Sequence, residues 1–145
     1  MKKSLLTLLL IFGAFTFMNA QSWKETAEEY ADLLNSEMDL VTDTFSQMGI
    51  NATGSAHYNA STNQIVMDLN FEPVIWDFFD KNAMDVARST TLEEYQNSYK
   101  TDADFKEVID EMKANGASFK IEYTCLKNGE IQVKSFTITP KEIIR

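Results

Sequence analysis

His57 is the one histidine in the chain, and Asp68 is the acid whose placement lets the two do chemistry together. Both lie in short alternating segments, Ser55 to Asn59 and Ile65 to Phe71, separated by the turn-forming run Ala60-Ser61-Thr62-Asn63. A hairpin turn centred on Ser61-Thr62 sets Asn59 opposite Gln64, His57 opposite Val66 and Ser55 opposite Asp68. His57 and Asp68 then share one face of the hairpin, a diagonal step apart and within reach of contact. A general base needs a partner within hydrogen-bond distance, and Asp68 is the obvious candidate for that partner. No residue is assigned as catalytic; His57 and Asp68 are taken as candidate binding residues. As an alternative they would be the acid–base pair of a small extracytoplasmic enzyme or ligand-pocket protein.

Other chemistries find less support. A single histidine excludes sites built from two or more, and the five scattered glycines form neither a phosphate loop nor a Gly-x-Ser-x-Gly elbow. Asp102 and Asp104 with Glu107 resemble a fragment of a calcium loop. They lack the glycine turn and the wider set of oxygen ligands such a loop needs, and acids there complement a helix dipole without any metal. No metal and no cofactor are expected. Asn51-Ala52-Thr53 and Asn59-Ala60-Ser61 match glycosylation sequons, which carry meaning only in a host that glycosylates asparagine. The third binding candidate is Trp76, in the aromatic run Trp76-Asp77-Phe78-Phe79. Helical spacing puts Ile75, Phe78 and Phe79 on one face and turns Trp76 elsewhere, where it would rim a pocket or contact surface beside Asp77 and Asp80.

The elements that hold these residues follow from periodicity. Ser22-Trp23-Lys24-Glu25 is a capping box. Behind it Trp23, Ala27, Tyr30, Leu34, Met38, Val41, Phe45 and Met48 form one apolar stripe of a long helix ending at Gly49. After the hairpin, Pro73 opens a helix expected to run to about Arg88. Thr91-Leu92-Glu93-Glu94 reads as a second capping box, starting a helix that carries Leu92, Tyr95, Tyr99, Phe105, Val108, Ile109 and Met112. A kink or break is expected at Thr101-Asp102-Ala103-Asp104, and a stop at Asn115-Gly116. A final hairpin alternates Phe119, Ile121, Tyr123 and Cys125, then turns at Lys127-Asn128-Gly129. Ile131 and Val133 are taken as inward on one parity and Phe136 and Ile138 on the other, reconciled by a bulge near Ser135. Pro140 to Arg145 begins a last short helix.

The order helix, hairpin, short helix thus occurs twice. Glu28-Glu29-Tyr30 recurs as Glu93-Glu94-Tyr95, Gly49 as Gly116, Ile65 as Ile131 and Pro73 as Pro140, at offsets of 65 to 67 residues. An internal duplication is expected, with units of about 22–88 and 89–145. The fold class is α+β: two helix–hairpin units forming one antiparallel sheet of about four strands, with the long helices packed on one face. The other face, bearing Ser55, His57, Asn59, Val66, Asp68, Asn70, Lys120, Glu122, Thr124, Gln132 and Lys134, is left polar and open.

Residues 1–20 read as a signal peptide: basic Lys2 and Lys3, an apolar run from Leu5 to Met18, and a cut between Ala20 and Gln21. At roughly 14 residues the run is too short to span a bilayer, so no membrane span is expected after cleavage. Removing residues 1–20 takes away two lysines and no acids, leaving eleven Lys and Arg against 22 Asp and Glu, a charge of −11. A surface that acidic is repelled by nucleic acid and anionic lipid, which are disfavoured, and no nucleic acid partner is expected. Residues 21–145 suffice for one domain. The lone Cys125 rules out an intrachain disulfide and reads as a small buried hydrophobe. The expected protein is an exported, periplasmic or extracellular, acidic binding module for a protein or small apolar ligand. An oligomeric envelope component is a further alternative.

Overall fold

The computed structural model describes residues 22–145; the expected leader and its cleavage point at Ala20 and Gln21 lie outside the described residues. Helix α1, Trp23–Gln47, begins where the Ser22 hydroxyl accepts the Glu25 N–H at 3.3 Å. It buries the expected stripe: Ala27, Tyr30, Leu34, Met38, Val41 and Phe45. Its C-terminus closes in a Schellman arrangement, with Ile50 N–H reaching Phe45 O and Gly49 N–H reaching Ser46 O. Gly49 takes φ 77°, the left-handed conformation this closure demands.

Strands β1, Ala52–Asn59, and β2, Gln64–Phe71, form the first hairpin. A short helix α2, Pro73–Trp76, follows. The next helix departs from expectation. Rather than a helix from Pro73 to Arg88 and a new start at Thr91, one helix α3 runs unbroken through Lys81–Thr101. Its cap is Asp80, whose carboxylate accepts the Ala83 N–H at 2.8 Å. Thr91, read as a cap, is buried in the helix interior. The boundary drawn between residues 88 and 89 therefore falls inside α3.

The expected break does occur. Asp102 ends α3 and caps α4, Ala103–Ala114, by accepting the N–H groups of Asp104 and Phe105. Its carboxylate is thus occupied by the backbone. Tyr99 of α3 donates its hydroxyl to Asp110 of α4 at 2.7 Å and ties the two helices together across the break, while Lys106, paired with Asp110 within α4 at 2.7 Å, lies over the Tyr99 ring at 5.2 Å. Helix α4 closes as α1 does, with Ala117 N–H on Met112 O, Gly116 N–H on Lys113 O, and Gly116 at φ 68°.

Strands β3, Ser118–Lys127, and β4, Glu130–Ile138, are joined by a two-residue turn in which Asn128 and Gly129 both have positive φ, as the tightest hairpins require. Helix α5, Pro140–Ile143, completes the chain. The fold is α+β with a four-stranded sheet in the order β1-β2-β3-β4.

The sheet is mixed, not antiparallel: β2 and β3, the two central strands, run parallel. Each hairpin is antiparallel within itself, and the helical crossover between them returns the chain to start β3 in the direction of β2. Strand β4 has no bulge. Its pairing with β3 is continuous from Lys127↔Glu130 to Phe119↔Ile138. Directly paired residues share a face, so Gln132, Lys134, Phe136 and Ile138 lie on the side of Cys125, Tyr123, Ile121 and Phe119. Ile131 and Val133 lie on the other and are 73% and 55% exposed. The turn at Asn128-Gly129 leaves no slack for a parity change, and its register decides the matter over side-chain hydrophobicity.

The core is built on the first of these faces. Tyr30 from α1 and Tyr95 from α3 both pack on Phe119, ring centroids 6.4 and 5.2 Å away. Phe45 meets Phe71 edge-on at 5.3 Å, and Phe79 packs on both Phe71 and Tyr123. Cys125 is wholly buried among these groups.

Candidate functional site

The first hairpin is held in register by its turn. Asn59 accepts the N–H groups of Ser61 and Thr62 through its side-chain oxygen, the local bond that makes asparagine a turn residue. Asn63, at φ 53°, accepts from the Trp23 indole at 2.8 Å and the Tyr58 hydroxyl at 2.7 Å, and its amide donates to Asn115 O at 2.7 Å. One residue therefore ties the turn to the start of α1 and the end of α4. The resulting pairs are Asn59↔Gln64, His57↔Val66 and Ser55↔Asp68, as the turn geometry requires.

His57 and Asp68 are brought together: His57 Nδ1 lies 3.6 Å from Asp68 Oδ2. That is an ion-pair distance when the ring is protonated, longer than a hydrogen bond. The parallel pairing of β2 with β3 adds what the hairpin alone does not contain. Asp68 stands in register with Glu122, and their side chains hydrogen-bond. Glu122 also accepts from Lys120 Nζ at 2.7 Å. The result is a row His57–Asp68–Glu122–Lys120 across three strands, on the face turned away from the aromatic core; at its centre Val66, expected to be open, is only 4% exposed.

Two carboxyl groups in contact cannot both ionise cheaply. Partial burial, then the hydrogen bond and charge of Glu122, push the Asp68 carboxyl up to about 7, against the opposing pull of Lys120. The same bond to Asp68, with Lys120, holds Glu122 below the usual range. Asp68 is accordingly the proton-carrying member and Glu122 the carboxylate it donates to. Folded Asp68 binds its proton more tightly than the unfolded chain does, so its contribution to stability is full below about pH 4 and is lost as pH rises through about 7. The pair is partly solvated, which reduces the effect to about 1 kcal/mol. Asp68→Asn should therefore be more stable than the parent at pH 8, with the difference shrinking toward pH 5. Urea melts of both proteins at the two pH values check it, and parallel pH profiles would contradict it.

Trp76 is placed differently from its expected rim position. It is 4% exposed, against Phe79 at 6.2 Å, and Lys134 lies over its ring at 4.6 Å. Lys134 Nζ also donates to the carbonyls of Trp76 and Phe79. The exposed aromatic is Phe78, at 76%. Helix α2 stops at Trp76, so the helical spacing that grouped Phe78 with Ile75 and Phe79 no longer applies beyond it. Gln132 and Lys134, expected on the open face, belong instead to the core side of β4. Their places on the open face are taken by Ile131 and Val133, joined by Leu126, which pairs with Ile131 and is 60% exposed.

A groove of about 560 Å³ lies beside this apolar strip, between the end of α1, the start of β1 and the end of β2. Asp43, Asn51, Asn70, Glu72 and Leu126 line it, and Asn51 donates to Glu72 at 2.6 Å. His57 is not part of it. Among the described residues no cluster of three or more His, Cys, Asp or Glu side chains is placed to hold a metal ion, and no helix is long and apolar enough to cross a membrane.

Glu122 and Lys120 belong to the site but were read only as members of a polar face. Alternation places them on that face, and only the strand order brings them beside Asp68. Ile131 and Val133 were legible from the register of the second turn. Comparison with protein-family models, with curated proteins and with solved structures finds no match to this chain.

Proposed function

We propose that this protein is an exported binding module whose recognition surface is the open face of the sheet. The carrying observation is the apolar strip Leu126, Ile131 and Val133, held in solvent next to the polar row His57–Asp68–Glu122–Lys120. A half-apolar, half-polar flat surface suits a protein partner better than a small ligand, which binds in concave sites. Trp76 and Phe79 support the Lys134 end of β4 from beneath, and the long helices pack against the opposite side of the sheet. Export rests on the leader-like residues 1–20, and the −11 charge keeps nucleic acid and anionic membranes away.

We also read the two halves as copies of one helix–hairpin unit. The support is the matched Schellman closures at Gly49 and Gly116 and the proline-led short helices at Pro73 and Pro140, each pair 67 residues apart. At that offset Ile65 aligns with Gln132 rather than with Ile131, and every core position of β2 meets a core-side position of β4.

The test is photo-crosslinking in an exporting host, with a benzophenone side chain at Leu126 and, as control, at Asp39 on the exposed side of α1. Adducts with other extracytoplasmic proteins from position 126 and none from 39 are expected; equal adducts from both would remove the reading. The 3.6 Å His57–Asp68 approach favours a second reading as an acid–base enzyme. It requires His57→Ala to abolish a turnover while leaving stability within about 0.5 kcal/mol.

A further inference from the structure

Both edges of the sheet must deal with backbone groups that no neighbouring strand satisfies. The β1 edge lies against α1, where the Asn35 side chain accepts the Ala56 N–H at 3.0 Å. At the far end of β4, Arg88 donates to Thr137 O at 3.0 Å and is held there by Glu142 at 2.5 Å. That bond also identifies which residues of β4 point outward. In an antiparallel strand the N–H and C=O of one residue point to the same side, alternating along the chain. With Thr137 outward, Ser135, Val133 and Ile131 are outward too, and their N–H and C=O groups have no partner among the described residues. This half of the edge carries no proline and no bulge. Its one basic side chain, Lys134, is turned inward onto the carbonyls of Trp76 and Phe79. The usual protections of an edge strand are absent from Ile131 to Ser135 while present at Thr137 and on β1.

We propose that two copies of this chain pair antiparallel through β4, about a two-fold axis at Val133. The free backbone groups require an extended strand as occupant, and the segment is self-complementary in that register. Ile131 meets Ser135 of the second copy, Val133 meets its counterpart, and Ser135 meets Ile131. Three such pairs exchange about six backbone hydrogen bonds. Between them Gln132 faces Lys134, and Glu130 faces Phe136, so no like charges are opposed. Centring the pairing nearer the strand end would require Thr137 O, which Arg88 already holds. The Ile131 and Val133 side chains of both copies would then form one apolar strip on a doubled open face. This pairing does not depend on the binding reading above, and it yields a weak, concentration-dependent dimer because an edge contact is small.

Sedimentation equilibrium of the full chain recovered from an exporting host tests it. The mass should rise toward twice the monomer between about 1 μM and 1 mM, the range of small weak interfaces. Val133→Lys should weaken the pairing about tenfold or more, because it sets two like charges directly opposite each other at the axis. Val133→Pro removes an outward N–H without touching the β3 ladder, so it should give the same loss in a folded protein. Amides 131, 133 and 135 should gain exchange protection with concentration in the parent. A parent monomeric throughout, or variants that dimerise as the parent does, would overturn the proposal.

Discussion

Phe119→Ala should cost about 3–5 kcal/mol, the range for a buried aromatic truncated to alanine. Phe119 is fully buried on β3, with Ile65 on one neighbouring strand and Ile138 on the other. Tyr30 of α1 and Tyr95 of α3 both rest on its ring. The ring is therefore a shared contact of two helices from opposite halves of the chain. The expected result in urea is one cooperative transition moved to much lower denaturant with an unchanged slope. A loss under about 1 kcal/mol would mean that the helices dock elsewhere.

Trp76→Ala should be nearly as damaging, at about 3 kcal/mol or more. It removes a 4%-exposed indole, its contact with Phe79 and the ring beneath Lys134; the last is worth about 0.5–1 kcal/mol by itself. Phe78→Ala is the matched control. Two positions away and 76% exposed, it should change stability by no more than about 0.5 kcal/mol. Equal losses from the two variants would place the aromatic run differently and return Trp76 to the surface.

Much of the fold was legible because the signals were local. The stripe from Ala27 to Phe45 recurs over many turns and admits one buried face. The His57–Asp68 approach was readable because a four-residue turn leaves one register, and Asp102 announced its own cap. Misreadings arose where two local signals competed. Ile131 and Val133 were placed inward because they are apolar, although Asn128-Gly129 already set Cys125 opposite Gln132. Thr91-Leu92-Glu93-Glu94 resembled a helix start, yet Asp80 supplied the cap and these residues were carried inside α3. Strand order is not local at all. Alternation gives the faces of β2 and β3 but not their adjacency or parallel sense, and so the Asp68–Glu122 contact was beyond reach.

The open face exists only if Ile131 and Val133 meet solvent, and thiol labelling reads that directly because native Cys125 is buried and silent. Single cysteines at Ile131, Val133 and Ile138 should separate sharply under a maleimide at low protein concentration. Positions 131 and 133 should react at rates close to those of an unfolded peptide, and position 138 should react only through unfolding, at least about a hundredfold more slowly. Protection at 131 and 133 together with rapid reaction of cysteines at 132 and 134 would mean that β4 is turned over, and that the open face described above does not exist.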